Sequence, residues 1–244
     1  MRFFCNSIVF IRRIIIIVFI VIIIILLIIG RINSKKMRVF NEDEDKEFVI
    51  QKGAGNEKIV SFACNVDWGN EYIDSILNML DKYDVKITFF ITGRWASEYS
   101  GIAQKISSRG HEIGNNGYYN KAYDSLSYDD ALSDIKKADE LLRELTDYDI
   151  KLFSPPSGAY NDNVINAAIN MGYPGIVIGS IDTMDWKQTT TADDVYKNIL
   201  NKIGSGDIIL IHPTKSTSDA LSNIIGDLLI QHYKILPISE MLRK

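Results

Sequence analysis

Asp67, Asp182, Asp185 and His212 are the side chains of this 244-residue chain best placed to move protons. Each ends or follows a short apolar run, the place where a strand–helix fold exposes its reactive groups. A carboxylate there can take a proton and an imidazole can donate one, the equipment for hydrolysing an amide. Between them lies Arg109-Gly110-His111-Glu112-Ile113-Gly114, an apolar-centred strand running into a Gly/Asn/Tyr loop that carries Asn116 and Asn120. Two histidines at that spacing would make half of a metal site, whereas an amide is a weak, neutral ligand. The chain has only three histidines, His111, His212 and His232, none of them paired, so no substitute site for a transition metal is expected. Serine and cysteine hydrolase readings find no support, because neither a Gly-x-Ser-x-Gly elbow nor a Cys/His dyad occurs. Asp67 also suits a plain turn or N-cap acid, and a lone histidine at a strand end can serve structure alone.

The elements that must hold these residues alternate in kind. Strand-like runs are expected at 58–66, 85–91, 111–114, 150–153, 175–178, 207–211 and 235–236. Helical spacing is expected at 70–84, 100–109, 127–145, 161–171, 192–203 and 218–231, with Ser127 as an N-cap ahead of Asp129 and Asp130. Such alternation predicts parallel strands with outer helices, in a distorted (β/α) barrel with its site at the strands' C-terminal ends. A doubly wound open sheet is the alternative that periodicity leaves open.

Upstream the composition changes. Every residue from Ile14 to Ile29 is apolar, flanked by Arg12-Arg13 and Gly30-Arg31, which predicts an uncleaved transmembrane anchor over 14–30 after a short segment 1–13. Residues 31–57, with the acidic run Glu42-Asp43-Glu44-Asp45, read as a polar stalk, and 58–244 as the folded domain. Basic residues are nearly balanced across the anchor, so charge alone does not orient it. Beyond residue 36 the chain holds 21 basic against 31 acidic residues and no basic stripe, which argues against a nucleic-acid partner. Cys5 and Cys64 fall on opposite sides of the apolar run, so no intrachain disulfide is expected, and Cys64 is read as a small buried strand residue.

Gly110-His111-Glu112-Ile113-Gly114-Asn115 and the loop after it resemble the second signature of the polysaccharide deacetylases, the NodB homology domain of carbohydrate esterase family 4. In that family two loop histidines hold the catalytic metal; residue by residue, Asn116 and Asn120 stand in their places. Asn65-Val66-Asp67-Trp68-Gly69 resembles the first signature, which supplies a general base and a metal ligand. Aligned on Trp68-Gly69, Asn65 takes the base position and Asp67 the ligand position; aligned on Gly69 with the shorter form, Asp67 becomes the base and Trp68 the ligand. Ser154-Pro155-Pro156-Ser157-Gly158 is similar to the Arg-Pro-Pro-x-Gly loop, with Ser154 where an arginine orients the base. Asp182-Thr183-Met184-Asp185-Trp186 resembles the stretch whose acid tunes the catalytic histidine and whose tryptophan walls the acetyl pocket. Leu210-Ile211-His212 resembles the element whose histidine protonates the leaving amine.

The similarity spans about residues 57–243 and is nearest to sporulation-type members. It implies a NodB-type barrel outside the cell, amino terminus inside, acting on peptidoglycan or a chitin-like polymer with a divalent, zinc-like metal. Here no metal or other cofactor is expected, although Asp67 could still contribute to one. Catalytic positions are Asp67, His212, Asp182 and Asp185, with Asn65 and Ser154 altered; glycan contacts are expected from Trp68, Pro155, Pro156, Gly158, Tyr160 and Trp186, aided by Tyr118 and Tyr119. Two functions follow as expectations. One is a membrane-anchored, catalytically impaired deacetylase-like protein that binds glycan. The other is a working metal-dependent N-deacetylase that uses Asp67 and His212 with non-standard ligands.

Overall fold

Residues 59–66 form a strand with every side chain buried, and period-two alternation divides them between two environments. Val60, Phe62 and Cys64 join the large core under the outer helices, whereas Ile59 and Ala63 join a smaller inner cluster with Phe90, Leu152, Val177 and Ile208. This second core is the barrel interior. The computed structural model describes residues 48–244. The expected anchor, 14–30, lies outside the described residues; among these, no helix is long and apolar enough to cross a membrane.

The strands are β1 (Val49–Ile50), β2 (Ile59–Val66), β3 (Thr88–Ile91), β4 (Glu112–Asn115), β5 (Ile176–Val177), β6 (Ile181–Asp182), β7 (Ile208–Ile211) and β8 (Lys234–Ile235). A parallel ladder runs β4-β3-β2-β7-β6. Phe153 bridges Asn115 to Ile176, and the chain then continues through β5 into β6, which brings the ring back to β7. The ring is therefore closed as a distorted barrel, and the open doubly wound alternative falls away. Helices 73–82, 100–108, 128–146, 162–170, 192–200 and 215–230 pack outside it.

Several elements differ from the sequence expectation. The strand expected at 150–153 contracts to the single bridging residue Phe153, flanked by bonds from the Asn115 N–H to the Leu152 carbonyl and from the Ser154 N–H to the Asn115 carbonyl; Pro155 and Pro156 bar its extension beyond Ser154. The end of the expected stalk belongs to the fold: β1 pairs with β5, and Lys52 pairs with Asp207 just before β7. The Lys52 ammonium lies 2.6 Å from the buried Asp207 carboxylate. Burial raises the Asp207 pKa, but bonds from Lys52, Ser180 and the Gly204 N–H outweigh it and leave the carboxyl below its usual range. A helix at Gly93–Glu98 was not expected; it is short, starts on Thr92 as N-cap and is anchored by buried Trp95. Another, Ile238–Met241, plugs the bottom of the barrel: the Ile238 N–H donates to Thr88 Oγ1 at 2.9 Å and the Ser239 N–H to Glu112 Oε2 at 3.1 Å. Cys64 is a buried free thiol whose pKa is raised by burial and by the nearby Asp185 charge.

Candidate active site at the barrel mouth

The same parity that sends Ala63 and Ile208 inward carries Asn65, Asp67, Leu210 and His212 to the inner side at the strands' C-terminal ends. Asn116, two residues beyond Gly114, and Asp182, the partner of Leu210, arrive by the same rule. Together with Trp68, Asn120, Pro156, Ser157, Gly158 and Trp186 they line one cavity of about 430 Å³. Phe90 and its inner-core neighbours close the floor beneath it.

Each wall is fixed by identifiable bonds. His212 is held by Asp185, which accepts from imidazole Nδ1–H at 2.7 Å and from the His212 backbone N–H at 2.6 Å. Thr217 Oγ1–H also donates to this carboxylate, whose side chain is fully buried. Its acceptor at Nδ1–H leaves the neutral ring's Nε2 as a lone-pair site. Trp68 stacks on the His212 ring at 5.0 Å between centroids, and its helix-side neighbour Gly69 accepts from the Trp95 indole at 2.7 Å. Asp182 turns to its own loop, accepting from the Met184 N–H at 2.8 Å and the Trp186 indole at 3.4 Å. Trp68 and Trp186 are 43% and 49% exposed, so both present aromatic face to solvent at the rim.

The opposite wall is the loop after β4. Gly117 takes a left-handed φ of +73°, and a Cβ there would stand 2.1 Å from the Tyr123 hydroxyl, so only glycine fits. Asn115 Oδ1 accepts from the Gly117 N–H at 2.7 Å, while Asp134 accepts from the N–H groups of Tyr118 and Tyr119 and from the Tyr123 hydroxyl. The loop is thereby clamped with Asn116 and Asn120 pointing at the cavity. The Asn116 amide donates to the Ser154 carbonyl at 2.7 Å, and the Asn120 amide donates to Asp67 Oδ2.

Not every expected glycan contact reaches the cavity. Pro155 is buried behind Pro156, and Tyr160 packs against the large core. Tyr118 and Tyr119 meet edge to face beneath Lys137 and lie outside the cavity lining. Ser154 contributes its backbone, not its hydroxyl, to the wall. Residues the sequence reading did not single out also take part: Ser157 and Leu210 line the cavity, and Arg94 brings its guanidinium to 3.6 Å from Asp67 Oδ1. Arg94 lies on the short helix that periodicity could not detect, although serine in place of arginine at position 154 was a signal to look elsewhere in the fold for a cation beside the acid.

A zinc-like ion does not fit the donor set. Both positions that would supply imidazole carry amides whose nitrogens are engaged within the protein, and one of these amides occupies an oxygen of Asp67. Among the described residues no group of three His, Cys, Asp or Glu converges as a metal site would require.

A parallel barrel with an Asp-held histidine, an acid and two rim tryptophans at its C-terminal mouth has the layout of a polysaccharide deacetylase-like protein. The sequence model described as polysaccharide deacetylase matches residues 52–176, and the chain belongs to that family. It is 34% identical over 193 residues to the uncharacterized protein YlxY of Bacillus subtilis, covering 79% of this chain and 60% of the relative. It is 32% identical over 176 residues to a peptidoglycan-N-acetylglucosamine deacetylase of Bacillus cereus, covering 70% and 63% respectively. The chain thus spans less than two thirds of these two relatives. Among solved structures, a CE4 family pseudoenzyme from Bacillus anthracis superposes with a TM-score of 0.78 at 37% identity, covering 80% of this chain and 69% of that one.

Proposed function

We propose that this protein is a membrane-anchored, extracytoplasmic member of the polysaccharide deacetylase family that engages cell-wall glycan with its catalysis impaired. The observation that carries the reading is the bond from the Asn120 amide to Asp67: the position that would hold a metal instead supplies a donor to the acid. Asn116, engaged with the Ser154 carbonyl, adds to it. The peptidoglycan deacetylase and the pseudoenzyme among its relatives support a glycan ligand and a precedent for lost chemistry. The two exposed tryptophans supply faces on which a sugar ring can stack.

The test uses the full chain in detergent, equilibrated with zinc and then desalted. Metal content far below one equivalent, with no acetate released from peptidoglycan above an Asp67→Asn control, is the expected result. Stoichiometric metal with acetate release would overturn it in favour of a second reading, a working N-deacetylase. That reading draws on the Asp185–His212 pair, whose geometry would serve a proton donor. Glycan binding should survive a chelator and fall in Trp186→Ala. The anchor is tested separately: residues 37–244 should be digested by protease added to intact protoplasts while the protein sediments with membranes.

A further inference from the structure

Two buried acceptors of the cavity residues, Asn65 Oδ1 and Asp67 Oδ1, have no hydrogen-bond partner among the described residues. Their residues are only 9% and 8% exposed, and both line the cavity. His212 adds Nε2, a third acceptor, because its Nδ1–H is held by Asp185. Three nearby donors point elsewhere, the Asn116 amide to Ser154, the Asn120 amide to Asp67 Oδ2 and the Trp186 indole to Asp182, and leave both Oδ1 atoms unserved. Among the described residues the cation paired with Asp67 is Arg94, which stands 3.6 Å off on an exposed side chain, beyond hydrogen-bond distance.

Buried acceptors without partners favour a ligand that brings protons. An N-acetyl group brings to this wall a single N–H, no charge, and a carbonyl that is itself an acceptor. A free amino group presents three N–H donors and a positive charge, which match Asp67 Oδ1, Asn65 Oδ1 and the His212 lone pair. We infer that this site selects the de-N-acetylated sugar: it recognises a glucosamine-type ammonium within a glycan, with the rim tryptophans on the sugar faces. The inference rests on the glycan-binding reading above and names the ligand form. It makes the protein a reader of glycan from which acetyl groups have been removed, a product that an amide-hydrolysing reaction must supply.

The experiment is calorimetric titration of the full chain in detergent with chelator present, using a glucosamine hexamer and an N-acetylglucosamine hexamer. The glucosamine hexamer should bind at least about tenfold more tightly, the effect of a charge-assisted hydrogen bond. Because the chain is acidic beyond residue 36 and would attract any polycation, Glu140→Gln, remote and exposed, removes one charge as a control. Asp67→Asn should abolish the preference while Glu140→Gln keeps it, with circular dichroism showing both folded; if Asp67→Asn is unfolded, Asn65→Leu, which removes the second acceptor, should cut the preference in its place. Equal or tighter binding of the acetylated hexamer overturns the inference and leaves the glycan reading standing. Equal losses in the Asp67 and Glu140 variants overturn it as bulk charge attraction. No binding of either hexamer defeats the glycan reading itself.

Discussion

Asp185 shows how one buried carboxylate orders a site. It accepts from the His212 ring, the His212 backbone and Thr217, so an amide in its place would set a donor against one of three donors. Asp185→Asn should therefore lower stability by roughly 2–4 kcal/mol; an unchanged urea midpoint would refute this. His111 makes a different prediction. It is fully buried, accepts from the Ile87 N–H at 3.3 Å, and leaves Nε2 without a partner. Burial, aided by Lys86 and Arg109 and opposed by Asp81, lowers its pKa to about 4 from the ordinary 6.5. Its folded pKa is depressed, so the unfolded chain takes the proton first as pH falls. Stability is full above about pH 6.5, declines between 6.5 and 4 by up to roughly 3 kcal/mol, and then levels. His111→Asn, which keeps an acceptor but cannot titrate in that window, should remove this slope from denaturation curves taken at several pH values. His212, Asp185 and Trp186 were legible as a site because they stand in short, ordered motifs. Arg94 was not, because its approach to Asp67 depends on the packing of a helix one and a half turns long.

The loop after β4 is rigid for reasons local to it. Gly117 is its pivot, and Asp134 reaches over from the helix 128–146 to bond two consecutive N–H groups and a hydroxyl. Gly117→Ala would combine an unfavourable backbone conformation with a collision against Tyr123, at a cost of roughly 2–4 kcal/mol. Asp134→Ala should keep the fold yet speed amide exchange at Tyr118 and Tyr119 by at least about tenfold, the loss of one or two charged hydrogen bonds. If exchange there is unaffected, the clamp is not what holds the asparagines at the cavity. The helix itself was readable, since Ser127 accepts from the Asp130 N–H as an N-cap should. The bonds from Asp134 were not, because nothing in a helical period says which acid on a buried face has a loop above it.

Across the whole barrel, the alternation of strands and helices was enough to predict the class, and the outward parity of β2 explains why. What stayed hidden is the closure: Phe153 as a one-residue strand, β1 paired with β5, and the plug Ile238–Met241 are too short to leave a period. The plug is nonetheless part of the inner core. Met241→Ala should cost roughly 2–4 kcal/mol, measured by urea denaturation, because its side chain fills the barrel bottom beside Ile59 and Ser61. A loss under 1 kcal/mol would mean that the floor does not depend on it. Ser61 and Met241 are 180 positions apart, so the contact that seals the bottom closes a very long loop of chain. Closing so long a loop is entropically costly, so docking of the plug is expected to be a slow, non-local step of folding, and until Ile238 and Met241 dock the apolar residues of the inner cluster lack part of their cover.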